Sequence, residues 1–174
     1  FEFPEAPLPF GYSYVQLKEL LLSVEVDDSG AGALDPYVED SFGRFLFTWD
    51  LAKDHQGTCL ELGANPYFTT LLLKEFSSLD VKLANFFGGD AKSGSQSLTW
   101  HQNNKVRSRE LTFDHFNLEE ATFPYPDSSF DVILFCEIIF RYLLFYLNIF
   151  CFWSHEVLTK KYTKILYLYS KTLL

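Results

Sequence analysis

A carboxylate, a bare glycine and an amide stand close together in TCLELGANPYFTTLLLKEF, the stretch from Thr58 to Phe76. Glu61 and Asn65 flank Gly63, after a short apolar run and before a longer apolar segment. A glycine lets a ligand approach the backbone closely, and a carboxylate attracts a cationic group. A turn that only joined a strand to a helix would need neither. The stretch therefore predicts a small-molecule site.

Polar residues also follow three other predicted strands. Asn85 ends VKLAN, Asp114 lies in RELTFDHFNL, and Glu137 ends FDVILFCE. The carboxyl ends of parallel strands meet at one edge of a sheet, where ligands bind. Any one of these residues could be polar only because a strand end meets water. With Glu61 they make four polar strand ends at one edge, and the four together favour a pocket there.

The hydrophobic pattern divides the chain into three parts. Residues 1–57 predict a helical segment, with amphipathic helices in YVQLKELLLSVEV and YVEDSFGRFLFTWDLAKDHQG. Residues 58–139 predict an α/β core of four short strands, with a helix in NPYFTTLLLKEFSS that has Pro66 near its first turn. Within this core, GGDAKSGSQSLTWHQNNKVRSR predicts a long polar loop. This order of elements predicts a mainly parallel sheet.

CLELGANPYF followed by FPYPDSSFDVILFCE resembles the class I methyltransferases that use S-adenosylmethionine, over about Arg44 to Ile139. The resemblance implies a Rossmann-like sheet, S-adenosyl-L-methionine as the cofactor, and methyl transfer by in-line displacement. The acceptor stays an unidentified small molecule, glycan or lipid, and no catalytic residue is assigned. The residues that the resemblance implies for cofactor binding are Glu61, Gly63, Ala64, Asn65, Asn85, Asp114, Asn117, Leu118 and Glu137.

The resemblance also implies which part of the cofactor each of these residues would contact. Glu61 would face its ammonium and sulfonium groups, and helix N–H groups after Asn65 would face its carboxylate. Asn85 stands where the family commonly offers an acid to the ribose, although only its amide oxygen can accept. The adenine would lie against residues at the exit of the third family-like strand, namely Asp114, Asn117 and Leu118.

Several departures from the family pattern favour a second hypothesis. Asn65 and Tyr67 stand where further glycines often occur, and we expect Tyr67 to pack rather than contact the ligand. Phe140 and Arg141 replace an acidic-basic pair of similar proteins. The alternative is a catalytically inactive methyltransferase-like module for binding or scaffolding. A nicotinamide-dependent enzyme is a weaker third hypothesis, because the turn lacks GxGxxG.

The tail 140–174 contains no glycine or proline and predicts a helical segment that replaces the last strands of the sheet. It is either a divergent or truncated end or a segment foreign to the fold. The chain begins at Phe1 without any methionine, which predicts a fragment or a processed product. Val132–Trp153 is long and apolar enough for a membrane span, but its start matches a strand, so contact through 140–174 is favoured.

Composition limits the partners and the compartment. The net charge of −9 argues against general nucleic-acid binding, which needs a basic surface. Three cysteines in apolar runs and no signal pattern predict reduced thiols in a cytoplasmic protein. Cys151 and His155 alone do not make a zinc site. An open sheet edge would be prone to pairing, which allows a homodimer.

Overall fold

The computed structural model describes residues 5–29, 32–117, 123–136 and 164–168, the last segment by its backbone alone. Three helices are described: α1 (Tyr14–Leu22), α2 (Asp35–Ala52) and α3 (Phe68–Phe76). The strands that it describes are β1 (Glu25–Val26), β2 (Thr58–Leu62), β3 (Asp80–Asn85), β4 (Ser93–Gln102), β5 (Lys105–His115), β6 (Val132–Cys136) and β7 (Lys164–Leu168).

All described strands belong to one mixed sheet in the order β1-β4-β5-β3-β2-β6-β7. β5, β3, β2, β6 and β7 pair in parallel, whereas β4 pairs antiparallel with both of its neighbours. The predicted α/β class with a mainly parallel sheet is confirmed. The complete order is not the classic doubly wound one, because β4 and β1 extend the sheet beyond β5.

The three helices pack against one face of the sheet. Leu17 of α1 and Phe42 of α2 share a buried cluster with Cys59 of β2 and Val132 of β6. The N-terminal helices therefore have a common core with the strands. α1 begins at a Ser13 capping box, in which the Ser13 hydroxyl accepts from the backbone of the third helical residue.

Aromatic residues cover part of the opposite face. Leu60 and Ile133 lie there in a second buried cluster. Rings from the segment between β5 and β6 pack onto it, contributed by Phe116, Phe123, Tyr125 and Phe130. Edge-to-face aromatic packing thus covers this part of the second face.

The predicted long loop at 88–109 is wrong, because most of it forms the β4–β5 hairpin. Asn103 and Asn104 make the two-residue turn, with φ of 51° and 58°. Two successive positive φ angles define the turn that matches strand twist, and asparagine tolerates them. Leu98 and Trp100 alternate with more exposed residues along β4, which is the period of a strand with one buried face.

The prediction of a wholly helical tail is wrong at Lys164–Leu168, which forms β7 parallel to β6. β-branched and aromatic residues in KILYL suit a strand, and the outer edge of β6 offers unpaired backbone groups. The rest of 140–174 lies outside the described residues. So does most of the apolar window, whose first residues form β6. No helix in the described part of the chain is long and apolar enough to cross a bilayer.

Candidate functional site

The carboxyl ends of four strands meet at one edge of the sheet, as predicted. Leu62 of β2 pairs with Ala84 of β3 and Phe135 of β6, and Ala84 also pairs with Asp114 of β5. These residues form one row across the sheet. The positions that follow them in sequence, including Gly63 and Asn85, therefore lie side by side at this edge.

The turn after β2 is tightly held by its own backbone. Gly63 has φ of +66°, and its N–H donates to the carbonyl of Ala84 at 2.8 Å. Tyr67 also has a left-handed backbone, with φ of 72°, and its N–H donates to Ala64 at 2.6 Å. A helix cannot include that conformation, so α3 begins at Phe68. The helix predicted in NPYFTTLLLKEFSS thus starts at the fourth residue of that stretch, and Pro66 lies two residues before it.

Asn65 and Asn85, both predicted site residues, contact each other. The N–H of Asn65 donates to Oδ1 of Asn85 at 3.1 Å, and Nδ2 of Asn85 donates to the Tyr67 hydroxyl at 3.0 Å. Tyr67 then donates to Oε1 of Gln96, whose Nε2 donates to Asp28 at 2.6 Å. This chain of contacts, which we call the amide network, joins the turn to β3, β4 and the segment after β1.

Sequence reasoning missed three members of the amide network. Tyr67 was expected to pack, and it is fully buried, but its hydroxyl is also bonded on two sides. Burial raises the pKa of Tyr67, so the hydroxyl keeps its proton and stays a donor. Gln96 lay in the supposed loop. The alternation in SQSLTWHQ, which places Gln96 on the buried face with Leu98, is the signal that could have found it.

Glu61 points to the helix-covered face, where it is 4% exposed. The hydroxyl of Thr70 in α3 donates to its Oε2 at 2.6 Å. Burial raises the pKa of Glu61 to about 7, although the Thr70 hydroxyl, Lys74 and Arg44 favour the charged form. The carboxyl therefore keeps its proton to a much higher pH than an exposed glutamate does, and it lies between β2 and α3 rather than at the strand ends.

Asp114 lies on the opposite face, where its Oδ2 accepts from the Tyr125 hydroxyl at 2.6 Å. Burial, and next this contact with Asp114, raise the pKa of Tyr125. Asn117 is half-buried just after β5. The remaining predicted residues, Leu118 and Glu137, lie outside the described part of the chain.

Asp131, the aspartate of the FDVI segment, lies at the amino ends of the parallel strands. Oδ2 of Asp131 accepts from the N–H of Thr58 at 2.8 Å, and its own N–H donates to the Thr58 carbonyl at 2.9 Å. Gly57 lies directly against this carboxylate, so that an added Cβ would come within 2.0 Å of it. Asp131 thus joins the starts of β2 and β6, away from the candidate site.

The segments that the structure describes contain no cluster of three histidine, cysteine or acidic residues that could hold a metal ion. No protein-family model, curated protein or solved structure matches this chain. The strand order and the contacts at the strand ends are therefore the grounds for a functional assignment.

Proposed function

We propose that this chain binds S-adenosylmethionine at the carboxyl edge of its parallel strands and transfers the methyl group to an acceptor. The order of the parallel strands is the observation that carries the proposal. Counted along the chain, β2, β3, β5, β6 and β7 lie in the sheet as 3-2-1-4-5. This is the order of the first five strands of the classic doubly wound sheet. β1 and β4 are additions outside it.

A doubly wound sheet places its ligand at the point where the strand order reverses. Here that point lies between β2 and β6, since the chain proceeds from β2 to one side and later returns to the other. Gly63 directly follows β2 with a positive φ, a conformation that favours glycine, and the missing Cβ leaves the backbone bare there. Gly63 is also exposed, so a ligand can reach the backbone of this turn.

Backbone N–H groups at the start of α3 are suited to bind an anionic group. The amides of Gly63, Asn65 and Tyr67 already donate within the protein. The first three amides of any helix lack intrahelical acceptors, and the helix dipole favours a negative charge there. In α3 these belong to residues 68–70, which would hold the carboxylate of the methionine moiety.

Polar groups for the remainder of the cofactor come from β3 and β5. Asn85 would present its amide to the ribose, and Asp114 and Asn117 would flank the base. The bound cofactor supplies an electrophilic methyl group on sulfonium. The protein's contribution is alignment of the acceptor with that group and exclusion of water. The acceptor is a small molecule, glycan or lipid.

A catalytically inactive binding module is the second candidate, and two contacts favour it. Glu61 is buried against Thr70, so its carboxyl is turned away from the strand ends. Asn85 uses both its amide oxygen and its amide nitrogen within the amide network. Two groups that the family resemblance assigns to the cofactor are therefore engaged in holding the fold.

Titration calorimetry with S-adenosylmethionine tests the proposal, with Gly63→Leu as the site variant. A leucine there must adopt a left-handed backbone and fill the space over the turn. Gly11→Leu is the matched control, because Gly11 has φ of +85° and nothing within 4 Å of an added Cβ. The neighbouring Tyr12 contacts Phe76 and Gln102, at the edge of the sheet opposite the site.

We expect saturable binding by the wild type and Gly11→Leu, and at least tenfold weaker binding by Gly63→Leu. Circular dichroism spectra verify that all three chains are folded. Equal binding by both variants would place the cofactor elsewhere. The lack of binding by folded wild-type protein would overturn the proposal. Binding without methyl transfer in a screen of small-molecule, glycan and lipid acceptors would favour the inactive module.

A further inference from the structure

Two adjacent phenylalanines are exposed at the carboxyl end of β3. Phe86 and Phe87 are 47% and 53% exposed, and they directly follow Asn85. They begin the connection 86–92, which leads to β4 and which we call the β3–β4 loop. Exposed neighbouring aromatic residues at a candidate ligand edge indicate a contact surface. The question is what holds such a loop in place.

His115, at the end of β5, bridges the two ends of this loop. Its ring is buried, and its Nε2 accepts from the N–H of Phe87 at 2.9 Å. Its Nδ1 lies 2.9 Å from the carbonyl oxygen of Ala91. The rings of Phe86 and Phe87 lie 5.2 and 6.3 Å from the imidazole. One side chain thus fixes the loop at both ends.

These two contacts require one protonation state of His115. Because Phe87 donates to Nε2, that nitrogen carries no proton, so Nδ1 carries it and donates to Ala91. A proton added to Nε2 would face the Phe87 N–H with a second donor and abolish the bond. Histidine is the side chain that changes charge most readily near neutral pH.

Few charged groups surround the ring in the elements that flank it. β3 contributes the neutral Asn85, the β3–β4 loop contributes the two phenylalanines, β4 contributes Gly94 and β5 contributes Phe113. The charged side chains of these flanking segments are exposed: Asp90, Lys92 and Asp114. Asp114 already accepts from Tyr125 on the opposite face of the sheet.

We propose that neutral His115 is a positioning residue, which latches the β3–β4 loop and holds Phe86 and Phe87 against the ligand, and that its protonation releases the loop. The latch stands on the geometry of the loop alone. Its role in ligand binding rests on the proposed function. The two parts are measured separately.

Amide exchange of Phe87, followed by NMR and corrected for the intrinsic rate at each pH, tests the latch without any ligand. We expect its protection in the wild type to fall at least tenfold between pH 7.5 and 5. His115→Gln is uncharged at both pH values and offers an oxygen to the Phe87 N–H, so it should remove the pH dependence. His115→Phe keeps the ring but neither bond, so protection should be low throughout.

The amide of Leu71 in α3, which donates to the carbonyl of Tyr67 just before the helix, is the reference for the general stability of the fold. Equal protection of Phe87 at both pH values in the wild type would overturn the latch. Wild-type protection in His115→Phe would do the same. A parallel fall at Leu71 would also overturn it, because global loosening would then explain the change.

Calorimetry with S-adenosylmethionine at the same pH values tests the role in binding. We expect wild-type affinity to fall at least fivefold at pH 5, and His115→Gln to show a smaller fall. Identical pH profiles for the two proteins would overturn the positioning role while the latch could still hold. No binding by the wild type even at pH 7.5 would overturn both the proposed function and this role. The amide-exchange experiment would then decide on the latch by itself.

Discussion

Glu61 shows at the scale of a single residue how burial changes the chemistry that a sequence position implies. Its place after an apolar run and before a glycine predicts a charged group at a ligand. Side chains alternate along a strand, however, so the orientation of Glu61 follows from that of Cys59 and is opposite to that of Leu60 and Leu62. It lies under α3, where Thr70 is its partner.

Glu61→Gln should change the pH dependence of stability. The folded pKa of about 7 lies above the ordinary value of 4.5, so the folded state binds this proton more tightly. The stabilisation from the proton is complete below pH 4.5 and is lost as the pH rises through 7, by about 3 kcal/mol in all. The variant keeps an acceptor for Thr70 and has no proton to lose.

We therefore expect Glu61→Gln to lose about 2 to 3 kcal/mol less stability than the wild type between pH 5 and 8.5. Urea unfolding curves at the two pH values measure this difference. Glu110→Gln, which changes an exposed carboxylate in β5, should follow the wild type. Equal pH dependence in Glu61→Gln and the wild type would contradict the prediction.

The residues at the candidate site were only partly predictable. Gly63, Asn65 and Asn85 were found because turn-forming and polar residues follow apolar runs. Asp28 and Gln96 were not, since they come from distant segments that only the paired strands bring together. His115 was missed because a histidine within a strand has no local signal. Its role depends on a loop that closes onto it.

At the scale of elements, the β4–β5 hairpin shows which strands the hydrophobic pattern can predict and which it cannot. β4 and the first half of β5 were hidden because serine, glycine and charged residues dominate them, and only Leu98 and Trp100 mark the buried face of β4. β2 and β6 were recognised because they are continuously apolar, as strands covered on both faces are. A half-exposed hairpin carries a weaker hydrophobic signal than a central strand.

The turn of this hairpin allows a sharp test. Asn104 has φ of 58°, so glycine should relieve strain there and alanine should increase it. We expect Asn104→Gly to raise the free energy of unfolding by about 0.5 kcal/mol and Asn104→Ala to lower it by about 1 kcal/mol. Urea unfolding at pH 7.5 measures both. A lower stability for the glycine variant than for the alanine variant would show that the turn differs from this geometry.

At the scale of the whole molecule, the N-terminal helices and the sheet share one buried cluster. Trp49 of α2 and Trp100 of β4 are both buried within it. The described parts of the chain should therefore unfold together, because neither the helices nor the strands can keep their core after the other has separated. The division of the sequence at residue 57 marks a change in hydrophobic period rather than a gap in packing.

Single-tryptophan variants can measure this cooperativity. Trp100→Phe with Trp153→Phe leaves Trp49 as the probe, and Trp49→Phe with Trp153→Phe leaves Trp100. In each variant we expect the fluorescence midpoint in urea to coincide with that of far-UV circular dichroism. A Trp49 transition at clearly lower urea than the circular dichroism of the same variant would show that the helices separate first.

The strand order has a consequence for how the chain folds during synthesis. The β4–β5 hairpin joins residues that are neighbours in sequence, so it can close within microseconds. β2 has to wait for β6, since Cys59 pairs with Val132 far along the chain. Until β6 emerges from the ribosome, Leu60 and Leu62 lack their neighbours from β6, and that edge of β2 is open. The open edge of β2 therefore favours aggregation after the hairpin has formed and before the middle of the sheet is complete.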